Sequence, residues 1–388
     1  MRPADMDDLQ LASTIRPPMT LANLVFLFRA AGPFVSVYLD TTGNLADAPP
    51  PVRRRWKSLR RELAGAGAPQ AALAAIDPLI DATDPTGDTL AVIANPGGVL
   101  LAALLPDAPA AVRDVATCGM LPAVVPLLAW KQRQFPYVVV ATDRLGAELL
   151  AVVPAGPDQP VRVQGQELHV TRSAPGGWSQ RRFQQRAENR WQQNASAVAE
   201  ALTKLVDDMR PRLVVVTGDV RATQFLRDQI PGRVGELLQV VDGEYDSLDA
   251  ALAKATPLLD LLEARDTTEV LAAFGRELGQ DDRAVDGPAA TLQALANAQV
   301  STLLLQPEDV IGDAWFGPSP AQNALDPQAL HAMGVGAPVR APLVDVALRA
   351  AAASGATVRL LANQLPDGCR PTGGIGALLR YTGRAGDR

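Results

Sequence analysis

The sequence predicts a three-domain α/β protein: an N-terminal α/β domain over residues 1–133, an RNase H-like middle domain over 134–245, and an α/β/α domain over 246–388. Three observations predict it. A chain of 388 residues is more than twice the roughly 150-residue span that one hydrophobic core organises. Strand and helix patterns alternate along the whole length. The 32 Pro and 31 Gly residues punctuate them with frequent breaks.

In the N-terminal part, a helical pattern at Leu21 to Ala31 ends at Gly32-Pro33. Phe34 to Asp40 then alternates as a half-buried strand does. After Pro49-Pro50-Pro51 comes a basic helix carrying Arg53, Arg54, Arg55, Lys57, Arg60 and Arg61, read as a solvated face or as an RNA contact. Thr89 to Ala94 and Val99 to Leu104 flank Asn95-Pro96-Gly97-Gly98, a hairpin signal.

The middle part opens on the strand Tyr137 to Asp143, with further strands at Ala147 to Val153 and Val161 to Val163, a meander. Apolar residues at three- and four-residue steps predict one long helix from Ser179 to Met209, stopped by Pro211. The wholly apolar Leu213-Val214-Val215-Val216 is a buried strand of the parallel kind. In the last part, helices are expected at Leu248 to Ala264, Thr267 to Leu278, Ala289 to Ala298 and Leu343 to Ala353, the last stopped by Gly355. Strands are expected at Val300 to Leu305 and Thr357 to Leu361.

Composition excludes several classes of function. A net charge of −6 argues against a surface coated in basic charge for non-specific nucleic-acid binding, DNA included. Cys118 and Cys369 give neither a disulfide framework nor a thiolate metal site, which fits a reducing cytoplasm. No apolar run reaches the roughly 18 residues of a membrane span, and the acidic start Met1 to Asp8 is no signal peptide. His169 and His331 are too far apart for a His-Glu-x-x-His zinc site and read as surface or turn residues. Neither a phosphate-loop Gly-Lys-Ser/Thr nor a Gly-x-Ser-x-Gly elbow occurs, so no metal or cofactor is expected.

One segment stands out. Residues 171–191 hold Arg172, Arg181, Arg182, Arg186 and Arg190 against a single acid, Glu188, in an acidic chain. Trp178, Phe183 and Trp191 lie among them, and arginine beside aromatic rings grips phosphate and stacks on bases. Pro175-Gly176-Gly177 supplies a tip whose backbone approaches a partner closely. On a helix Arg182, Arg186 and Arg190 share one face, next to Phe183, Ala187 and Trp191. Gln180 cannot act as a general base, but its amide orients a water or a carbonyl.

At these residues the chain resembles the archaeal and eukaryotic peptide-chain release factors, their ribosome-rescue relative Pelota, and the bacterial branch of that superfamily. Gly373-Gly374-Ile375-Gly376-Ala377-Leu378-Leu379-Arg380-Tyr381 is similar to the last strand of the superfamily's third domain, and Pro33 to Asp40 resembles the bacterial members. In release factors a middle-domain Gly-Gly-Gln loop enters the peptidyl-transferase centre. Gly176 and Gly177 match its glycines, but Trp178 and Ser179 precede Gln180, giving Gly-Gly-x-x-Gln. A two-residue shift displaces the amide further than catalytic positioning tolerates, and the Asn-Ile-Lys-Ser stop-codon motif is missing, so codon-directed peptide release is not expected. The spacing resembles that of the bacterial branch and of eukaryotic quality-control members that cut peptidyl-tRNA.

Within the bacterial branch the chain looks most like the Balon group, which occupies the vacant A site of idle ribosomes together with elongation factor Tu. The resemblance therefore implies a cytoplasmic ribosome-binding factor with a Pelota-type third domain, acting in hibernation or rescue. Its partners would be 70S rRNA of the A site and peptidyl-transferase centre, tRNA, and a translational GTPase such as elongation factor Tu. The implied RNA-binding set is Arg172, Gly176, Gly177, Trp178, Arg181, Arg182, Arg186 and Arg190. The alternative is a peptidyl-tRNA hydrolase or tRNA-cleaving enzyme with Gln180 as its catalytic residue.

Overall fold

The computed structural model describes residues 21–42, 51–83, 87–106, 108, 114–143, 146–153, 159–164, 177–241, 248–280, 283–362 and 370–381. Its contacts divide the chain into two compact units. One is Arg133–Ala264; the other joins Met1–Gln132 to Arg265–Arg388.

The first stretch of the composite unit contains α1 (Val25–Arg29), β1 (Phe34–Asp40), α2 (Pro51–Gly65), α3 (Gln70–Ala82), β2 (Thr89–Asn95), β3 (Gly98–Leu105), β4 (Val115–Gly119) and α4 (Val125–Gln132). The strands form an antiparallel sheet in the order β3-β2-β1-β4. The expected hairpin is present: Asn95 pairs with Gly98, the Asn95 side chain accepts from Gly97 N–H at 2.9 Å, and Gly98 takes φ +126°. Val35, Val37 and Leu39 of β1 pack under Val52, Trp56 and Leu63 of α2 and Leu73, Ile76 and Ile80 of α3. The strand differs from the half-buried one its alternation predicts, because its other face is covered too. Tyr38, wholly buried, donates to Ala123 O at 2.8 Å, and Ser36 Oγ accepts from Ala123 N–H at 3.1 Å.

The Arg133–Ala264 unit contains β5 (Tyr137–Thr142), β6 (Gly146–Val152), β7 (Gln159–Gln164), α5 (Gly177–Met209), β8 (Leu213–Gly218), α6 (Val220–Gln229), α7 (Gly232–Gly235) and β9 (Leu238–Val240), and then the first half of α8 (Leu248–Gly279). Strand order is β7-β6-β5-β8-β9, an antiparallel meander joined to the parallel trio β5, β8 and β9. Val138, Val140, Val214 and Val216 face Val198, Leu202 and Val206 of α5. Val139, Leu150 and Val215 face Ala251 and Ala255 of α8. Two helical layers on a five-stranded sheet explain why β5 and β8 are apolar on both sides. The helices expected at 248–264 and 267–278 are one helix, since Arg265-Asp266 contains no breaker. Its first half completes this sheet, so the compact unit runs past residue 245 to Ala264.

The composite unit resumes with the second half of α8 and continues through β10 (Ala284–Asp286), α9 (Pro288–Ala296), β11 (Val300–Leu305), β12 (Asp313–Phe316), β13 (Asn323–Ala324), α10 (Pro327–Ala332), β14 (Val339–Pro342), α11 (Leu343–Ser354), β15 (Thr357–Leu360) and β16 (Ile375–Leu379). The main sheet runs β10-β16-β11-β15, with β11 and β15 parallel; β13-β12-β14 is a small second sheet. Leu304 faces Leu271 and Phe274 of α8, so Leu303 and Leu305 turn to the opposite face, and α9 and α11 also pack on the sheet. Gly355 ends α11 in the left-handed region at φ +66°, as expected.

The Gly373-Gly374-Ile375-Gly376 motif is explained by close packing. Gly374 has φ +73°, and a Cβ there would lie 2.9 Å from the backbone of Gln306, Asp309 and Val310. A Cβ on Gly376 would lie 2.8 Å from Cζ of Phe274. The fold as a whole is a mixed α/β architecture of two compact units.

Candidate functional site

The segment singled out by its charge straddles the boundary of what is described. Arg172 and Gly176 lie outside the described residues, as does His169. Gly177 is the first residue of α5, and Trp178, Gln180, Arg181, Arg182, Arg186 and Arg190 follow on its first four turns. For residues 177–191 the backbone is described. The helix starts two residues before the expected Ser179, which puts Gln180 in its first turn.

That placement fixes three properties. First, the backbone N–H groups of Gly177 to Gln180 have no acceptor within α5, and the helix dipole adds partial positive charge there. Secondly, an uninterrupted helix puts Arg182, Arg186 and Arg190 on one line along its surface, with Phe183, Ala187 and Trp191 on the neighbouring line. Thirdly, α5 has 33 residues and so is about 50 Å long, against about 20 Å for the six-residue strands it packs on. In its C-terminal half Ala195, Val198, Ala199, Leu202 and Val206 are buried.

A groove of about 660 Å³ runs between the packed half of α5 and the α6–α7 region, lined by Glu200, Lys204, Asp207 and Asp208 among others. Among the described residues no group of three or more His, Cys, Asp or Glu is arranged to hold a metal ion. His331 lies in the last turn of α10, with Nδ1 2.9 Å from Val335 O. No described helix is long and apolar enough to cross a membrane.

Comparison with known proteins bears on the same region. The model of bacterial archaeo-eukaryotic release factor family 2 matches residues 136–280. Uncharacterized protein Rv2629 of Mycobacterium tuberculosis is 30% identical over 376 residues, covering 94% of this chain and 97% of its own. Among solved structures, Archaeoglobus fulgidus Pelota aligns with 94% of this chain and 92% of its own at 12% identity and a TM-score of 0.38. The archaeal translation termination factor aRF1 aligns with 93% of this chain and 97% of its own at 16% identity and a TM-score of 0.25. The chain belongs to the bacterial branch of the archaeo-eukaryotic release factor family. That family makes it a translation factor of the release-factor class.

Proposed function

We propose that this protein binds the 70S ribosome in the cytoplasm, occupies the A site and brings the segment from Arg172 to Arg190 towards the peptidyl-transferase centre, in hibernation or rescue. The observation that carries the reading is the concentration of charge at the head of α5. Residues 171–191 hold five arginines and one glutamate, on and before the first turns of a 33-residue helix. Clustered positive charge is what a phosphate-lined cavity attracts. The Gly-Gly-x-x-Gln spacing supports occupation without codon-directed release, because an amide displaced by two residues no longer meets the position a Gly-Gly-Gln amide takes. Resemblance to the Balon group supports elongation factor Tu as the GTPase partner.

Co-sedimentation tests the reading: protein retained by vacant 70S ribosomes, and released by excess tRNA analogue bound in the A site, is the expected result. Protein that stays at the top of the gradient overturns it.

A second reading is favoured by the position of Gln180 in the first turn of α5, at a helix start whose backbone N–H groups have no acceptor within the helix. In this reading Gln180 orients the nucleophile that cleaves peptidyl-tRNA, and Arg181, Arg182 and Arg186 hold the tRNA end. Loss of cleavage in Gln180→Ala is its expected signature, and unchanged cleavage removes it.

A further inference from the structure

Helix α2 carries six basic residues between 53 and 61, and the fold divides them into two sets. Arg53 pairs with Asp81 at 3.2 Å and Arg60 with Asp77 at 2.9 Å. Arg55 reaches Asp114 at 3.9 Å and donates to Asp40 O and Thr42 O. Asp77 also accepts from Trp56 Nε1 at 2.9 Å, which ties α2 firmly to α3. Arg54, Lys57 and Arg61 are exposed, and no ion pair or hydrogen bond to a described residue involves them.

The spacing of that second set is three and then four residues, which aligns them along one helical face. Val52, Trp56 and Leu63, the buried residues of α2, lie on the opposite side. The outer face is completed by Ser58, whose hydroxyl donates to Glu62 at 3.2 Å on the flank. The unneutralised row spans about 10 Å. The fold has used the nearby acids Asp77, Asp81 and Asp114 on the flanking arginines and left three cations in line facing outward.

We propose that Arg54, Lys57 and Arg61 form a second RNA-binding surface, which grips the phosphodiester backbone of a structured RNA without reading its sequence. The proposal takes ribosome binding as its starting point and adds a contact from the N-terminal part of the chain. Charge complementarity selects the occupant, since a rigid row of cations on a straight helix matches a regular line of phosphates.

The test measures affinity of the full-length protein for 70S ribosomes, and separately for an RNA duplex of arbitrary sequence, from 50 to 200 mM KCl. Three lost phosphate contacts at a salt slope of 0.7–0.9 each make wild type lose about 20- to 40-fold more affinity over that range than Arg54→Ala/Lys57→Ala/Arg61→Ala. The charge-keeping variant Arg54→Lys/Lys57→Arg/Arg61→Lys is expected to behave as wild type. Equal slopes for wild type and the alanine variant on both probes overturn the proposal and leave ribosome binding standing. Duplex binding that depends on the row, with no binding to ribosomes, keeps the surface and removes the ribosome. Failure of wild type on both probes removes both. A row needed only for vesicles containing phosphatidylserine overturns it in favour of a membrane.

Discussion

Gln132 and Leu360 are joined at both ends of one side-chain amide. Gln132 Nε2 donates to Leu360 O and Leu360 N–H donates to Gln132 Oε1, each at 2.8 Å. β15 is the edge strand of its sheet, and an unpaired edge offers a row of free backbone groups. The last residue of α4 thus substitutes for a neighbouring strand, tying residues 228 apart within the composite unit.

Gln132→Ala removes both bonds and leaves the Leu360 N–H and C=O to water, at a cost of about 1–2 kcal/mol. Gln132→Glu, an acceptor only, keeps one bond and loses the other, so it falls between. Chemical denaturation of the three proteins checks the order, and equal midpoints would contradict it.

Asp345 gives stability a dependence on pH. It lies in the first turn of α11, is 7% exposed, and its burial pushes the carboxyl up to about 7. Tyr38 is held far above its usual range, first by its own burial and then by the Asp345 charge. An unfolded Asp titrates near 3.9. Below that pH the residue is neutral in both states and costs nothing. Between roughly 4 and 7 the unfolded chain ionises and the folded chain resists, so stability falls as pH rises, by up to about 3–4 kcal/mol. Above about 7 the penalty is constant. Asp345→Asn is therefore expected to match wild type at pH 4 and exceed its Tm at pH 8; parallel Tm curves would refute this.

Two glycines separate conformational strain from collision. Gly355 at φ +66° has nothing within 4 Å of a built Cβ, so Gly355→Ala pays only for the left-handed backbone, about 1–2 kcal/mol. Gly374 at φ +73° adds backbone atoms at 2.9 Å, so Gly374→Ala pays for the backbone and for displacing 306–310 as well. Urea melts are expected to rank Gly374→Ala well below Gly355→Ala.

The arginine row of α5 predicts a binding defect without a folding defect. Arg182→Ala/Arg186→Ala/Arg190→Ala is expected to weaken ribosome binding and flatten its salt dependence by about 2–3 units of slope. Its melting temperature should stay with wild type, because the described packing of α5 on its sheet is made by Val198, Ala199, Leu202 and Val206. A matched loss of stability would instead make the row structural.

Local pattern made the long elements legible: α5, β8, the β2–β3 hairpin and the Gly355 stop all follow from residues within a few positions of each other. What it missed depends on distant partners. Alternation marked β1 as a strand, but its second covered face comes from Ala123, 85 residues on. The apolar stripe of α8 breaks at Arg265-Asp266 because each half of the helix serves a different sheet, so one helix reads as two. β12, β13 and β14 are two to four residues long and too short to show a period, which hid the small sheet in a Pro- and Gly-rich stretch. The charges of α2 were plain, whereas their division into paired and free sets needed Asp77, Asp81 and Asp114. In the candidate site, composition alone marked the 171–191 cluster, and the fold adds that it is helical from Gly177 onward.

The most direct measurement uses purified protein with vacant 70S ribosomes and with ribosomes carrying peptidyl-tRNA, scoring binding and tRNA cleavage in the same tubes. Tight, salt-sensitive binding to vacant ribosomes with the peptidyl-tRNA left intact is the predicted result, and it makes Gln180 a structural residue. Failure to bind vacant ribosomes, or cleavage that disappears in Gln180→Ala, would contradict it.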